Sequence, residues 1–417
     1  MTPQAPRHSV LRRLLLVGVA LASNVLPWDV PCVDALNVDL YGVNYDLRQG
    51  PDWDPNKCKS ADQVSSDLRA LAAITSRIRT YSLTDCPIQP VLEAAKNLQL
   101  SVWLGVWTAS DPAIFDQEVL ELETLLQQQH EDFTVADGAG ERPTVSGINV
   151  GSEAVYRKDV SVEVAVANVD RVRAVLRSAN ITNIPVSVTD IVDVLVQYPD
   201  LIAAGDVVTA NMFPFWERVP VQSAAAHFDA RMAPLIALAG TMGKPIIITE
   251  TGWASAGKNV NSSEASPANA AQYLNDFVGL AQYRGWSYYY FAGFDSPYKA
   301  QQLQDPESVE QSFGLFDAAG NMKPEIADLV IMPYQPPASQ DGETSTSGSS
   351  SSSPASGNGE DTPQPSDQTA EGQTSPSTAA PTASTSSAKA SFSLIALLPV
   401  LAIACIAHAA AAAGLAA

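Results

Sequence analysis

Residues 245–253, PIIITETGW, form the stretch that decides the fold of this chain. Three consecutive isoleucines without polar alternation are typical of a parallel strand that is covered on both faces. The run ends on the carboxylate of Glu250, and a tight turn and the indole of Trp253 follow. A charge at the end of a buried strand is costly unless a partner or a reaction uses it. The stretch alone leaves open whether Glu250 is a solvated or ion-paired strand end or a functional group.

Short β-branched apolar runs alternate with longer amphipathic stretches on both sides of this strand. The alternation occurs eight times between residues 36 and 332 and indicates repeated strand–helix units. Two helix starts are marked by their sequence: Ser60 with Gln63 makes a capping box, and Ser266 precedes Pro267 as an N-cap before a first-turn proline. The predicted strands are residues 37–44, 77–81, 100–106, 147–150, 184–188, 207–212, 245–250 and 286–291.

Eight such units predict an α/β fold, a (β/α)8 TIM barrel with its catalytic groups at the carboxyl ends of the strands. A doubly wound open sheet is the alternative. Its nucleotide-binding version is disfavoured, because the segment after the first strand, YGVNYDLRQG, lacks the spacing of a glycine-rich phosphate loop. In the barrel, Cys58 would follow strand one and Cys86 strand two, so a disulfide between them would tie neighbouring loops at the active-site end.

The N-terminus has the pattern of a targeting segment. Arg12 and Arg13 precede an apolar run over 14–26 that is too short to span a bilayer and fits a secretory signal peptide. Small residues allow cleavage after Ala22 or after Ala35.

The cysteine count favours the later cleavage site. Cleavage after Ala35 removes Cys32, and Cys405 lies in a C-terminal tail that would also be removed. Because secreted chains seldom keep an odd thiol, the sequence predicts a single disulfide between Cys58 and Cys86.

The C-terminal part of the chain differs from the middle in composition. Ser, Thr and Pro dominate 335–388, which predicts a disordered, O-glycosylated stalk. Small residues and a terminal apolar run over 394–417 then form the pattern of a glycosylphosphatidylinositol (GPI) attachment signal. A transmembrane anchor is the alternative, disfavoured because His408 interrupts the run. The predicted domains are a signal peptide (1–35), a catalytic domain (36–334), a stalk (335–388) and an anchor signal (389–417).

Charge and histidine placement exclude several classes of partner. The chain has 24 Lys and Arg against 45 Asp and Glu, a formal charge of −21, and no basic cluster outside the signal peptide. Nucleic acid is therefore not expected as a partner. The sequons at Asn180 and Asn261 predict N-glycosylation of a secreted surface. We expect no metal or other cofactor and a monomeric protein; the four histidines lie far apart in the sequence, at positions 8, 130, 227 and 408.

Two glutamates stand out among the acids at predicted strand ends. Glu153 follows a Gly-Ser turn in GINVGSEAVYR at the end of strand four, and Glu250 ends strand seven. In a barrel these side chains can face each other across the mouth. Such a pair supplies what cleavage of a glycosidic bond requires: a protonated acid for the leaving oxygen and a carboxylate for the anomeric carbon. The other acids at strand ends, without such a context, are Asp46, Asp85, Asp190 and Asp295.

Aromatic residues are also concentrated near the predicted strand ends. Sugar rings stack their CH faces on aromatic side chains, so a groove of this kind suits a polysaccharide. Packing in the core is the commoner role for any single one of them. Trp216 and Trp253, on loops after strands, are the preferred platforms, and Tyr41 and Phe213 are further candidates for substrate contact.

Four segments resemble the signatures of glycoside hydrolase family 17, the β-1,3-glucanases of plants and fungal-type cell walls: VGSEAVYR, ITETGWAS, YGVNYD and SFGLFD. The resemblance covers about residues 37–325. It implies that Glu153 is the acid/base and Glu250 the nucleophile of a retaining mechanism. Lys299 and Glu310 match further positions of the plant-type pattern and would contact the substrate. The sequence departs from relatives at Ser152, where plant-type members have Asn, and at Ala292 and Ser296, where many fungal-type members have acids.

The leading interpretation is a secreted, GPI-anchored endo-1,3-β-glucan hydrolase that acts on the cell wall. A glucanosyltransferase is the alternative, since it differs only in whether water or a sugar hydroxyl accepts the glucosyl unit. A non-catalytic glucan-binding surface protein is a third hypothesis, against which the intact pair of glutamates argues.

Overall fold

The computed structural model of the protein describes Leu36 and residues 39–134 and 143–336. The predicted signal peptide, the anchor signal and all but the first two residues of the predicted stalk lie outside these residues. Within the described residues, no helix is both long enough and apolar enough to cross a bilayer.

Parallel strands pair in chain order and close into a barrel of eight. The last strand returns to the first, with Tyr290 beside Val43. This topology confirms the TIM barrel prediction and rules out the open sheet. The strands are β1 (Val43–Asn44), β2 (Arg77–Arg79), β3 (Ser101–Val106), β4 (Val145–Ser152), β5 (Val186–Ile191), β6 (Val208–Asn211), β7 (Ile246–Thr251) and β8 (Ser287–Tyr290).

Each predicted strand overlaps an observed one; the bounds differ most at β1 and β5, where β5 begins two residues and ends three residues later than predicted, and β4 differs by two residues at each end. Strand β1 keeps only the last two residues of the predicted stretch 37–44, because Leu40 pairs with Thr75 as an isolated bridge outside the ladder. Strand β4 is longer than predicted, since Gly151 adopts φ 73°, a backbone conformation that glycine permits, and the strand continues to Ser152.

Helices surround the barrel, and both predicted helix starts are confirmed. Ser60 and Gln63 form the capping box, and the Ser266 side chain accepts from the backbone N–H of Asn269 with Pro267 in the first turn. The helices are α1 (Ala61–Leu71), α2 (Gln89–Leu98), α3 (Pro112–Gln128), α4 (Val162–Ser178), α5 (Val192–Gln197), α6 (Pro199–Ala204), α7 (Val221–Thr241), α8 (Pro267–Arg284), α9 (Tyr298–Gln302) and α10 (Pro324–Ala327).

The interior of the barrel has an apolar floor and a polar layer. Trp103, Ile247 and Tyr289 form an apolar cluster of their own, apart from the main core. The Trp103 ring lies so close to Gly147 that a Cβ there would stand 2.4 Å from it, so residue 147 must be glycine. Buried polar side chains of β1, β2, β4 and β6 lie nearer the carboxyl ends and support the site described below.

The predicted disulfide is confirmed. Cys58 in the loop after β1 is bonded to Cys86 in the loop after β2, with the two Cα atoms 5.5 Å apart. An ion pair between Lys57 and Asp85 (2.7 Å) joins the same loops beside it. The two loops are therefore fastened together at the carboxyl end of the barrel.

Candidate active site

Glu153 lies at the start of a tight turn directly after β4. Its backbone adopts φ 58°, its N–H donates to the Thr189 carbonyl (2.9 Å), and its own carbonyl accepts from the N–H of Arg157 (2.9 Å). The side chain is buried, and Asn211 Nδ2 of β6 donates to its Oε1 (2.9 Å). Both backbone and side chain of this glutamate are thus held by the neighbouring strands.

Asp190, near the end of β5, supports this turn. Its buried Oδ2 accepts from the backbone N–H groups of Val155 (3.1 Å) and Tyr156 (3.3 Å), and its Oδ1 accepts from the N–H of Ile191 (2.8 Å). Burial raises the pKa of Asp190 to about 6, against the effect of these three hydrogen bonds. The carboxyl therefore fixes the chain that follows Glu153.

Glu250 has a cationic partner. Arg79 Nη1 of β2 donates to its Oε1 at 2.9 Å, and both side chains are almost completely buried. Ser152 Oγ lies 3.5 Å from the same oxygen, and the Glu250 backbone carbonyl accepts from the N–H of Met212 (3.0 Å). A buried carboxylate paired in this way is stable only while its cation stays in place.

Asparagines in turn fix Arg79. Asn44 Oδ1 accepts from Nη1 (2.8 Å) and Asn149 Oδ1 accepts from Nε (3.1 Å). Asn44 Nδ2 donates to the carbonyl of Thr249 (2.9 Å), the residue before Glu250. Asn44 therefore connects the Arg79 guanidinium to β7, the strand that carries Glu250. The Thr249 hydroxyl donates to Asn211 Oδ1 (2.8 Å), which connects this group to the partner of Glu153. Both glutamates therefore belong to one hydrogen-bonded layer.

The two carboxyl groups differ in their electrostatic surroundings. Burial and, after it, the charge of Glu250 raise the pKa of Glu153 to about 8, against a hydrogen bond from the neutral amide of Asn211. Glu250 faces the guanidinium of Arg79. A carboxyl group with a raised pKa beside an ion-paired carboxylate is the arrangement that general acid catalysis at neutral pH requires.

A cavity of about 310 Å³ lies on the side of β1, β2, β3 and β8; the two glutamates do not line it, but Asn44, which accepts from the arginine partner of Glu250, does. Its inner end is lined by Asn44, Phe291 and Glu310, and its outer end by the disulfide-tied loops. Lys299 Nζ lies 3.5 Å from Glu310 Oε2. Burial raises the pKa of Glu310 to about 7, while the Lys299 charge opposes the rise and the Glu250 charge adds to it. The predicted pair Lys299 and Glu310 therefore lies beside the nucleophile candidate and lines the cavity.

Glu118 of α3 organises the rim of this cavity. Its carboxylate is fully buried and accepts from the backbone N–H groups of Leu83 (2.8 Å), Thr84 (3.2 Å) and Trp107 (3.1 Å), and also from the hydroxyls of Ser82 and Thr84. Burial raises the pKa of Glu118 in spite of these donors. One side chain thus connects the loops that follow β2 and β3.

Two predicted aromatic contacts are wrong. Trp253 is only 2% exposed; its ring packs against Phe215 and Tyr273, and its Nε1 donates to the Glu264 carbonyl, so it offers no face to a sugar. Tyr41 precedes β1 and stacks under the guanidinium of Arg77, the first residue of β2. It therefore lies at the amino end of the strands, opposite the site.

Of the remaining predicted aromatic residues, Phe213 is buried (8% exposed) and Trp216 is half-buried. Phe213 and Trp216 follow β6 and pack against Phe313 on the catalytic face. Of the two sequon asparagines, Asn180 is exposed and Asn261 is half-buried, where its Oδ1 accepts from Arg218 Nη2 (2.6 Å).

The predictions from sequence missed three polar residues of the site, Asn44, Arg79 and Asn211, and named Asp190 only as a strand-end acid without a role. A signal was present: Arg79 stands in the middle of the predicted strand 77–81, and Asn44 and Asn211 stand at or near predicted strand ends. An arginine or asparagine inside a parallel strand needs a buried partner, as a glutamate does. No group of three or more metal-ligating side chains occurs among the residues that the structure describes.

A TIM barrel with buried glutamates at the carboxyl ends of β4 and β7, one with a raised pKa and one paired with arginine, defines a protein of the glycoside hydrolase class. Residues 42–314 match the family model of the BtgE/BtgC glycoside hydrolase domain. The chain belongs to this family, within glycoside hydrolase family 17.

Curated relatives are similar along the barrel. A putative glucan endo-1,3-beta-glucosidase of Aspergillus niger is 31% identical over 290 residues, which cover 64% of this chain and 40% of the relative. A glucan 1,3-beta-glucosidase of Saccharomyces cerevisiae is 30% identical over 281 residues, covering 64% of this chain and 85% of the relative. The chain thus spans less than half the length of the Aspergillus relative.

Solved structures share the fold. The family 17 beta-1,3-glucanosyltransferase of Rhizomucor miehei superposes with a TM-score of 0.58 at 28% identity and covers 70% of this chain and 98% of that one. An active-site mutant of the same enzyme in complex with laminaritriose superposes with a TM-score of 0.58 at 29% identity, with the same coverage of both chains.

Proposed function

We propose that this protein is an endo-acting hydrolase of β-1,3-glucan that works with retention of configuration. One observation carries the proposal: two buried glutamates share a polar layer, but only Glu250 forms a direct ion pair, with Arg79, while Glu153 accepts from a neutral amide. This difference supplies an acid and a carboxylate at neutral pH. The names of the Aspergillus and Saccharomyces relatives support β-1,3-glucan as the substrate.

The proposed reaction has two steps. In the first, the Glu250 carboxylate attacks the anomeric carbon while Glu153 gives its proton to the departing glycosidic oxygen, which leaves a glycosyl ester on Glu250. In the second, Glu153 takes a proton from water as the water oxygen bonds to the anomeric carbon and the ester bond breaks. Glu153 is then protonated and Glu250 free, as at the start. Arg79 orients Glu250 throughout.

We assign substrate contact to groups beside the pair. The cavity has room for sugar units, and Lys299 and Glu310 offer hydrogen-bond partners for hydroxyl groups at its inner end. Phe213 and Trp216 place aromatic rings on the same face.

A glucanosyltransferase is the second candidate. Its support is the Rhizomucor glucanosyltransferase, of which this chain covers 98%. The two candidates share the glycosyl ester and differ in the acceptor, water or a sugar hydroxyl. Time-resolved product analysis on a linear laminari-oligosaccharide of defined length separates them: shorter products alone support the hydrolase, and products longer than the substrate support the transferase. A non-catalytic glucan-binding protein would give neither shorter nor longer products.

We further propose that the protein is a secreted, N-glycosylated monomer held at the cell surface by a GPI anchor. The support is in the sequence: the apolar N-terminal run, the sequons at Asn180 and Asn261, and the small-residue cluster before the terminal apolar run. Treating intact cells with phosphatidylinositol-specific phospholipase C should release the protein. Protein that stays on cells after treatment would contradict the lipid anchor.

A further inference from the structure

Residues 48–58, which we call the tongue, form a closed loop after the carboxyl end of β1. The backbones of Arg48 and Cys58 pair in antiparallel orientation at its base. Further along, the N–H groups of Gln49 and Gly50 both donate to the carbonyl of Lys57, at 2.7 and 3.1 Å. The tongue is therefore folded back on itself rather than extended as an open connection.

Side-chain contacts hold the tongue against the rest of the catalytic face. The disulfide fixes its base, and the ion pair of Lys57 with Asp85 lies beside it. On the other flank, the Asp52 N–H donates to Gln302 Oε1 (2.9 Å) while Gln302 Nε2 donates to Asp52 Oδ2 (2.6 Å). Because Lys57 and Gln302 both line the cavity, the tongue forms part of its outer wall.

Trp53 stands at the tip of this constrained loop, immediately after Asp52. Its side chain is 63% exposed, whereas Trp103 and Trp253 are almost completely buried. It is not among the residues that line the cavity, so it lies outside the space that Lys57 and Gln302 enclose. An indole that is mostly in water on an ordered loop adds little packing energy to the fold, but it offers a pre-organised apolar face to a ligand.

We propose that Trp53 is a stacking platform for a β-glucan chain that continues past the cavity. This inference rests on the proposed function. A neutral polysaccharide presents CH faces and hydroxyl groups, and the charges of Asp52 and Lys57 are already engaged within the protein. The indole face is thus the contact that the tip provides. A short oligosaccharide held within the cavity does not reach it, so Trp53 gives a preference for long chains.

The test compares Trp53→Ala and Trp53→Phe with the full-length wild type on two substrates, laminarin and laminaritriose. Loss of one stacked ring should raise the KM for laminarin roughly twofold to tenfold at nearly unchanged kcat. The kcat and KM for laminaritriose should not change. Trp53→Phe should have a KM for laminarin close to that of the wild type, because phenylalanine also offers an aromatic face. The matched control is Tyr283→Ala: Tyr283 is 56% exposed near the end of α8, at the amino end of β8, and should behave as wild type.

Affinity electrophoresis in gels that contain laminarin gives a readout independent of turnover. Wild type and Tyr283→Ala should be retarded more than Trp53→Ala. Equal retardation and equal KM for laminarin would overturn the proposal. The proposal would also be overturned if Trp53→Ala lost as much activity on laminaritriose as on laminarin and had a lower melting temperature, because Trp53 would then maintain the structure of the tongue. If the wild type is retarded in the gel but cuts neither substrate, the proposed hydrolase function is wrong. The difference in retardation between wild type and Trp53→Ala still tests the role of Trp53 in that case.

Discussion

A guanidinium faces Glu250 and a neutral amide faces Glu153, so two chemically identical side chains stand in different electrostatic surroundings. Burial alone would disfavour the charge on both. Arg79, held by Asn44 and Asn149, pairs with only one of them. At the scale of the residue, the site therefore depends as much on asparagines and arginine as on the glutamates.

Replacing Glu250 tests the assignment of the nucleophile. Glu250→Gln keeps the shape of the side chain and removes the attacking carboxylate, so turnover of laminarin should fall by about 10³-fold or more. Retardation in laminarin gels should persist, because the sugar contacts remain. The control is Glu123→Gln, an exposed glutamate on α3, which should retain full activity. A Glu250→Gln variant as active as wild type would refute the assignment.

Asp190 is expected to influence the proton on Glu153. The charged groups around Glu153 are Glu250 of β7, Asp190 of β5, and Arg157 and Tyr156 of its own turn. Asp190 raises the pKa of Glu153, so Asp190→Asn should move the alkaline limb of kcat/KM, near pH 8 in the wild type, to lower pH by about 0.5 unit or more.

The control for this shift is Asp206→Asn. Asp206 Oδ2 also accepts a backbone N–H, that of Val186 (2.8 Å), but at the amino end of β5, far from Glu153. The Asp206→Asn variant should be less stable than the wild type, but its pH profile of kcat/KM should be the same. Equal pH profiles for Asp190→Asn and wild type would show that Asp190 acts only on the backbone of the turn.

At the scale of the element, loops after different strands are joined by single side chains. Glu118 reaches from α3 to the loops after β2 and β3, and the disulfide joins the loops after β1 and β2. Together they make one connected rim on the cavity side of the mouth. Loops that would otherwise move independently are thereby presented to substrate in a fixed arrangement.

Removing Glu118 should destabilise the protein markedly. Glu118→Ala takes an acceptor from the buried N–H of Leu83 and the half-buried N–H of Trp107, while the Thr84 N–H keeps Ser82 Oγ (3.2 Å), so the free energy of unfolding should fall by about 2 kcal/mol or more. Denaturant titration measures the loss. Glu123→Ala on the exposed face of the same helix should change it by less than about 0.5 kcal/mol. Similar values for both variants would contradict the role of Glu118.

Sequence predicted the elements well but not all side-chain directions. The isoleucines of β7 and the capping residues of α1 and α8 act locally, so their pattern identified strand and helices. Trp253 and Tyr41 were misjudged, because an aromatic near a strand end has the same pattern whether it faces the mouth or the core. The partners of Glu250 come from β2 and β4, over 90 residues away in the chain, and only the closed barrel brings them together.

At the scale of the whole molecule, buried acids make stability depend on pH. The pKa values of Glu153, Asp190 and Glu310 are raised to about 8, 6 and 7 in the folded protein. The folded state therefore binds more protons than the unfolded state above the ordinary carboxyl pKa of about 4. By linkage, the stability that these groups contribute is present at low pH and is lost as pH rises through their folded pKa values.

We accordingly expect the free energy of unfolding to decrease between pH 5 and pH 8, measured by urea titration at each pH. Glu310→Gln removes one of the titrating groups and should make this decrease shallower. Glu307→Gln, at an exposed glutamate nearby, should leave the slope unchanged. A wild-type stability that increases over this range would contradict the raised pKa values.

The packing of Trp103 against Gly147 also bears on how a polymer engages the barrel. With Ile247 and Tyr289, the indole seals the bore beneath the polar layer, so no sugar chain threads through the molecule. A β-glucan chain, as the proposed substrate, would therefore lie across the mouth with both of its ends outside the barrel. Binding of this kind does not require a free chain end, which is consistent with the endo action proposed above.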